Sequence, residues 1–313
     1  MKAIGFKTSL PIEEEQSFLA FEQAKPVPTG HDLLVKIDAI SVNPVDFKIR
    51  QSAAQDTTLE EPKVIGWDAV GIVEAVGDQV HTFQVGDAVF YAGDLTRPGS
   101  NAEYQLVDER IVGRKPKNLT NAEAAAIPLT GLTAYESLFD RIRIDPKRDA
   151  GKSVLILAGA GGVGSIAIQL AKKLGNLTVI ATASRPETQA WCQEMGADFV
   201  VNHYSLSEEL ERIGHQQVDY VLDFVSLNGY WDALAEIIKP QGHIVSITGS
   251  SDPLNLSILK SKSVTFSWEF MYTRSMYHTE DIARQQEILN HIADLLEDGT
   301  LRTTLNHTIQ GFT

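Results

Sequence analysis

Cysteine is almost absent: Cys192 is the single one in 313 residues, which excludes an internal disulfide and every zinc site built from several cysteines. Positive charge is scarce and scattered. There are 27 Lys and Arg against 41 Asp and Glu, for a net charge of −14, with no basic run. Such a chain repels nucleic-acid phosphates and anionic membranes, so neither nucleic acid nor membrane is expected as a partner. No uninterrupted apolar stretch is long enough to cross a bilayer, and Met1 leads straight into strand-like Lys2-Ala3-Ile4-Gly5-Phe6; a cytoplasmic location is expected. The eight histidines form no His-Glu-x-x-His and no close pair, so no metal site is predicted. Low complexity is missing too. With 43% hydrophobic residues, the chain has the length and apolar content for two domains and a large core.

What is present changes period along the chain. From Met1 to about Asn118 short strand-like runs such as Leu33-Leu34-Val35-Lys36-Ile37 and Ala69-Val70-Gly71-Ile72-Val73 are cut by turns at Gly77-Asp78 and Gly86-Asp87, the spacing of a small β-barrel. From Asn121 strand and helix alternate, which implies a parallel sheet. Six strands are predicted: Ser153–Leu157, Leu177–Thr182, Asp198–Val201, Val218–Asp223, His243–Ile247 and Ser263–Ser267. A last stretch holds the aromatic run Trp268-Glu269-Phe270-Met271-Tyr272 and a helix from about Asp281 to Glu297, expected to return to the first domain. The predicted division is therefore 1–120, 121–260 and 261–313, an α/β chain with a β-rich domain and a doubly wound parallel-sheet domain. A substrate pocket is expected where two such domains meet.

Strand Val154-Leu155-Ile156-Leu157 runs into Ala158-Gly159-Ala160-Gly161-Gly162-Val163-Gly164 and then an apolar-faced helix from Ser165. Strand, glycine turn and helix together make a dinucleotide phosphate cradle, with backbone N–H groups aimed at the anion. On this reading Gly159 permits the tight turn, Gly161 lets backbone approach the pyrophosphate and Gly164 lets the helix pack on the strand. An acid that binds the ribose 2′-hydroxyl belongs about 20 residues further on; there the sequence has Ala183-Ser184-Arg185. A hydroxyl and a guanidinium suit a 2′-phosphate, so NADPH is the expected cofactor.

These residues resemble the medium-chain dehydrogenase/reductase superfamily, and within it the zinc-free quinone oxidoreductase and enone reductase branch, over essentially the whole chain. Gly151-Lys152, Leu155, Gly159-Ala160-Gly161-Gly162, Gly164, Gln169 and Lys172 are similar to the quinone oxidoreductase signature. Asn43-Pro44-Val45-Asp46-Phe47-Lys48 is similar to an element of NADPH-dependent alkenal and enone reductases. Phe266-Ser267-Trp268-Glu269-Phe270-Met271 resembles a late segment of bacterial proteins labelled zinc-type alcohol dehydrogenase-like. The resemblance implies a GroES-like catalytic domain, a Rossmann cofactor domain and a homodimer, for which the edge strand Ser263–Ser267 is a candidate seam. Zinc-using relatives place a cysteine where Asn43 stands and Gly-His-Glu where Gly66-Trp67-Asp68 stand, so zinc ligation is not expected. Such families continue into a further helix and strand, and an ending at Gly311-Phe312-Thr313 reads as a shortened chain.

Without zinc as Lewis acid, the expected chemistry is hydride transfer to a quinone or to the C=C bond of an α,β-unsaturated carbonyl, whose charge delocalises and needs only one or two hydrogen-bond donors. The resemblance places Lys48 beside the nicotinamide as the leading donor, with Asn43 as a second. Thr130 matches a position that orients the ring. Phe224, Val225, Thr248 and Gly249 follow two predicted strands and are expected to face the cofactor; Trp67, Tyr91, Phe270 and Met271 are expected around the substrate. Zinc-dependent alcohol oxidation and a non-catalytic NADPH-binding role stand as alternatives.

Overall fold

The short apolar runs of the first stretch fold as antiparallel strands, and the alternating stretch as a parallel sheet, in a computed structural model that describes residues 1–311. Phe312 and Thr313, on which the expectation of a shortened chain falls, lie outside the described residues. Contacts divide the chain into Met1–Leu129 with Tyr272–Thr313, and Thr130–Met271.

In the first unit the strands are β1 (Lys2–Phe6), β2 (Leu19–Glu22), β3 (Asp32–Ile40), β4 (Lys63–Val64), β5 (Ala69–Val76), β6 (Ala88–Tyr91), β7 (Tyr104–Asp108) and β8 (Val112–Arg114). They form a three-stranded sheet, β2-β1-β4, and a five-stranded sheet, β7-β3-β5-β6-β8, with antiparallel neighbours. The inward residues Leu33, Val35, Val73, Val89, Tyr91 and Val107 make one core. Between β5 and β6 the chain turns at Gly86, whose φ of 98° suits glycine. Helix Arg284–Glu297 buries Ile288, Leu289, Ile292, Ala293, Leu295 and Leu296 on one face, the spacing of an amphipathic helix. Its polar residues grip β8 and the chain after it. Arg114 N donates to Asn290 Oδ1 at 2.9 Å, Arg114 Nη1 to Glu297 Oε1 at 2.7 Å, and Asn118 Nδ2 to the Leu296 carbonyl at 2.9 Å.

In the second unit the strands are β9 (Ser153–Ile156), β10 (Thr178–Thr182), β11 (Phe199–Val201), β12 (Val218–Asp223), β13 (Ile238–Ser246) and β14 (Thr265–Trp268). Their order is β11-β10-β9-β12-β13-β14, with parallel neighbours. The chain works outward from β9 on one side, then returns to β12 on the other, so the strand order reverses beside β9. That reversal is where open α/β sheets bind ligands, at the carboxyl ends of the strands.

Two sequence expectations shift. β13 starts at Ile238, well before His243, because helix Leu227–Ile237 passes directly into extended backbone. Gln241 lies in the left-handed region at φ 63°, and the register of β13 on β12 slips between Ile238 and His243, while Lys239 Nζ bonds Asp219 Oδ2 at 2.8 Å. The division between units falls at 129/130 and 271/272 rather than 120 and 260. Leu129 N is held by Asp68 Oδ1 in the first unit at 2.9 Å, and β14 is paired to β13 in the second.

Candidate functional site

β9 ends at Ile156, and the chain reverses through the glycine run into helix Gly162–Lys173. The residue in left-handed conformation is Ala158, with φ 56°, so the tight turn does not rest on Gly159 as the sequence suggested. Ala158 N donates to Thr182 Oγ1 at 3.0 Å and Gly159 N to the Thr182 carbonyl at 3.1 Å, pinning the turn to β10. What Gly159 supplies is clearance: a Cβ there would lie 2.7 Å from Ala181 Cβ. Gly164 is stricter, since a Cβ would lie 2.3 Å from the Ala158 carbonyl oxygen. Gly161 caps the helix and, with Gly162, is exposed, while Ala160 and Val163 are half-buried. The N–H groups of this first helical turn carry the partial positive charge that favours an anion. Thr130 is buried as the third residue of helix Pro128–Tyr135, so it does not cap that helix; a Cβ on Gly162 would meet its Cγ2 at 3.0 Å.

The other strand ends carry the remaining predicted cofactor residues. Ser184 and Arg185 follow β10 and are exposed. Arg185 Nε pairs with Glu187 Oε1 at 3.1 Å, an acid that sequence reading passed over although Pro186 and the first helical turn frame it. After β12, Phe224 is half-buried and Val225 exposed. Their turn is organised by Asp223, a residue the sequence reading missed: its buried carboxylate accepts Val225 N, Ser226 N, Ser246 Oγ and Thr248 Oγ1 at 2.7–3.1 Å. Its signal was a charged residue closing the apolar run of β12. Thr248 and Gly249 follow β13, and a Cβ on Gly249 would meet nothing within 4 Å. The structure thus brings 159–164, 184–185, 224–225 and 248–249 to the carboxyl ends of β9, β10, β12 and β13, and this cradle fits a nucleotide. Phe270 and Met271 come just after β14, the former 45% exposed and the latter buried.

In the first unit, Asn43 precedes helix Pro44–Ser52. Its backbone N donates to Asp46 Oδ2 at 2.6 Å and its side-chain Nδ2 to Asp68 Oδ2 at 2.8 Å. Asn43 is therefore engaged with Asp68 through one of the two N–H groups of its side-chain amide. Burial pushes Asp68 up to about 8, against the Asn43 and Leu129 hydrogen bonds and with added repulsion from Asp46. Burial also raises Asp46 to about 6, against backbone hydrogen bonds from Asn43 and Gly66. Neither carboxylate was singled out from the sequence as a site residue; the available signal was an acid three residues after a helix-starting asparagine. Lys48, on the same helix, is exposed, and its ammonium has no hydrogen-bond or ion-pair partner among the described residues.

Two of the three aromatics expected around substrate, Trp67 and Tyr91, are interior residues. Tyr91 is fully buried in the β-sheet core and donates to Gln105 Oε1 at 3.0 Å, which corrects its assignment to a pocket wall. Trp67 is buried as well, and its indole N–H has no acceptor among the described residues. A small cavity of this unit, lined by residues including Asp94, Arg97, Asp108, Ser275 and His278, contains none of the predicted site residues.

The positions that correspond to zinc ligands do not fit that ion. They present an amide and a carboxylate bonded to each other, with an indole between them in sequence. No group of three or more His, Cys, Asp or Glu comes together among the described residues, and no helix among them is long and apolar enough to cross a membrane.

Glycine cradle, reversed strand order and an antiparallel β-rich unit together define a two-unit protein whose parallel-sheet unit fits a nucleotide. Residues 29–117 match the alcohol dehydrogenase GroES-like domain and residues 162–286 the zinc-binding dehydrogenase domain. A zinc-type alcohol dehydrogenase-like protein of Staphylococcus epidermidis is 46% identical over 99% of this chain and 92% of its own. An NADPH-dependent alkenal/one oxidoreductase of Arabidopsis thaliana is 36% identical over 71% of this chain and 56% of its own. Among solved structures, a Rhizobium etli protein provisionally described as a zinc-dependent alcohol dehydrogenase superposes with TM-score 0.94 at 46% identity, covering 100% of this chain and 91% of that one. Escherichia coli quinone oxidoreductase complexed with NADPH superposes with TM-score 0.79 at 26% identity, covering 96% and 89%. The chain belongs to the medium-chain dehydrogenase/reductase superfamily. It is an oxidoreductase of that superfamily, with a nicotinamide cofactor and small-molecule substrates.

Proposed function

We propose that the protein is an NADPH-dependent reductase of quinones or of the C=C bond of α,β-unsaturated carbonyls, working without a metal. The observation that carries this reading is the Asn43–Asp68 hydrogen bond at the positions where zinc-using relatives hold their ion, with the unpartnered ammonium of Lys48 on the helix that Asn43 starts. When bound, the nicotinamide supplies a hydride. The glycine turn binds the pyrophosphate, Ser184 and Arg185 hold the 2′-phosphate, and Thr130 orients the ring. Phe224, Val225, Thr248 and Gly249 border the cofactor; Phe270 and Met271 border the substrate. Lys48 stabilises the developing oxyanion and returns a proton to it, which suffices for an acceptor that already spreads its charge. The names of the NADPH-dependent alkenal/one and quinone relatives support this chemistry.

A panel of small enones and quinones, run with NADPH and with NADH, tests the reading. We expect turnover with NADPH, and a fall in kcat of about 10²-fold or more for Lys48→Ala with NADPH affinity retained. Bound NADPH without turnover on any acceptor leaves only the binding-protein alternative. Alcohol oxidation through zinc, favoured by the names of the bacterial relatives, is tested by the metal content of untagged protein; stoichiometric zinc overturns the metal-free mechanism. A cytoplasmic homodimer completes the proposal. Its seam is β14, which ends the sheet with Trp268 49% exposed; a monomer in solution at micromolar concentration rejects it.

A further inference from the structure

Asp68 is fully buried, and its two oxygens tie down separate points of the chain. Oδ2 accepts Asn43 Nδ2 at 2.8 Å and Oδ1 accepts Leu129 N at 2.9 Å. Its own carbonyl accepts Ser100 Oγ at 3.3 Å and Ser41 N at 3.4 Å, so the residue is fixed from several sides. A buried carboxyl is costly unless such bonds satisfy it, and an apolar side chain there would avoid the cost. What the carboxyl provides is a rigid hold on Asn43. Asn43 N is bound in turn by Asp46 Oδ2 at 2.6 Å, so both the amide and the side chain of the residue that starts helix Pro44–Ser52 are clamped. Lys48 stands two residues beyond Asp46 on that helix.

We propose that Asp68 is a positioning residue that sets the start, and hence the direction, of the helix carrying Lys48, and that it affects catalysis only through that lysine. The inference rests on the reading of Lys48 as the donor to the substrate oxygen. A carboxyl pushed up to about 8 by burial is largely neutral at physiological pH, which removes the repulsion that an ionised Asp68 would exert on Asp46 in the same buried cluster. Displacing a catalytic group by about 1 Å costs on the order of 10²-fold in rate, so the hold on Asn43 has a kinetic reading.

The experiment is a double-mutant cycle on the intact protein, with steady-state kinetics on the best enone or quinone and NADPH affinity by fluorescence titration. Asp68→Ala is expected to lower kcat by roughly 10- to 100-fold in the Lys48 background, with NADPH affinity unchanged, and to add less than about twofold in the Lys48→Ala background. Equal losses in both backgrounds make Asp68 a general structural residue and overturn the inference. So does no loss with Asp68→Ala while Lys48→Ala is impaired. If Asp68→Ala does not fold, Asn43→Ala removes only the side-chain bond, and its kcat loss is expected to vanish in the Lys48→Ala background in the same way. An unimpaired Lys48→Ala rejects the donor reading itself, an outcome distinct from failure of the positioning role alone.

Discussion

Arg185 and Glu187 are two exposed charges 3.1 Å apart at the end of β10, and their pairing bears on which nicotinamide cofactor is preferred. A surface ion pair of this kind is worth about 0–1 kcal/mol, far less than a bidentate guanidinium grip on a phosphate. Arg185→Asp is expected to weaken NADPH about tenfold or more while leaving NADH nearly unchanged, because it places a repelling charge at the proposed 2′-phosphate site. Equal weakening of both cofactors rejects the assignment. Glu187→Gln removes the competing carboxylate and should tighten 2′,5′-ADP by up to about fivefold, with no change for 5′-ADP. Calorimetric titration of the two nucleotides separates these effects. Arg185 drew notice in the sequence because an acid was missing where one is usual. Glu187 was not, because an acid in a first helical turn is common whether or not it meets a neighbour.

At the scale of elements, the strands of the parallel sheet could be read to within two residues, except β13, whose first part precedes a register slip on β12. Apolar runs buried on both faces leave little room for another period. The strand, turn and helix around the glycine run were legible, yet the duties of its residues were not, since clearance depends on neighbours brought from β10 and from helix Pro186–Met195. Two substitutions separate clearance from mere flexibility. Gly164→Ala puts a carbon 2.3 Å from a backbone oxygen and should cost about 1–3 kcal/mol of stability together with nucleotide affinity. Gly249→Ala meets open space and should leave the denaturation midpoint where it was. The first-unit candidate residues were legible only in part, because burial decided their surroundings: Tyr91 lies in the core, and Asn43 is bonded to two buried acids, Asp46 and Asp68.

For the whole molecule, the titrations of buried groups make a signed prediction. Asp68 is raised from an ordinary 3.8 to about 8, so the folded chain binds its proton more tightly than the unfolded chain does. Its contribution is therefore fully present below about pH 4 and is lost as pH rises to 8. His243 is lowered to about 4 by burial and acts in the opposite sense, losing stability as pH falls below 6.5. Between pH 6.5 and 8 the downward slope from Asp68 should dominate. Thermal midpoints across that window should fall in the native protein and flatten in Asp68→Asn; a slope that survives the substitution rejects the assignment. The division of the chain has a temporal consequence. Residues 130–271 are one uninterrupted stretch and can fold as soon as they leave the ribosome. Their host waits: β8 stays uncovered until helix Arg284–Glu297 has been translated. During synthesis the half-built β-rich unit is thus the vulnerable one, and chaperone binding to nascent chains should peak after β8 and end once residue 297 has emerged.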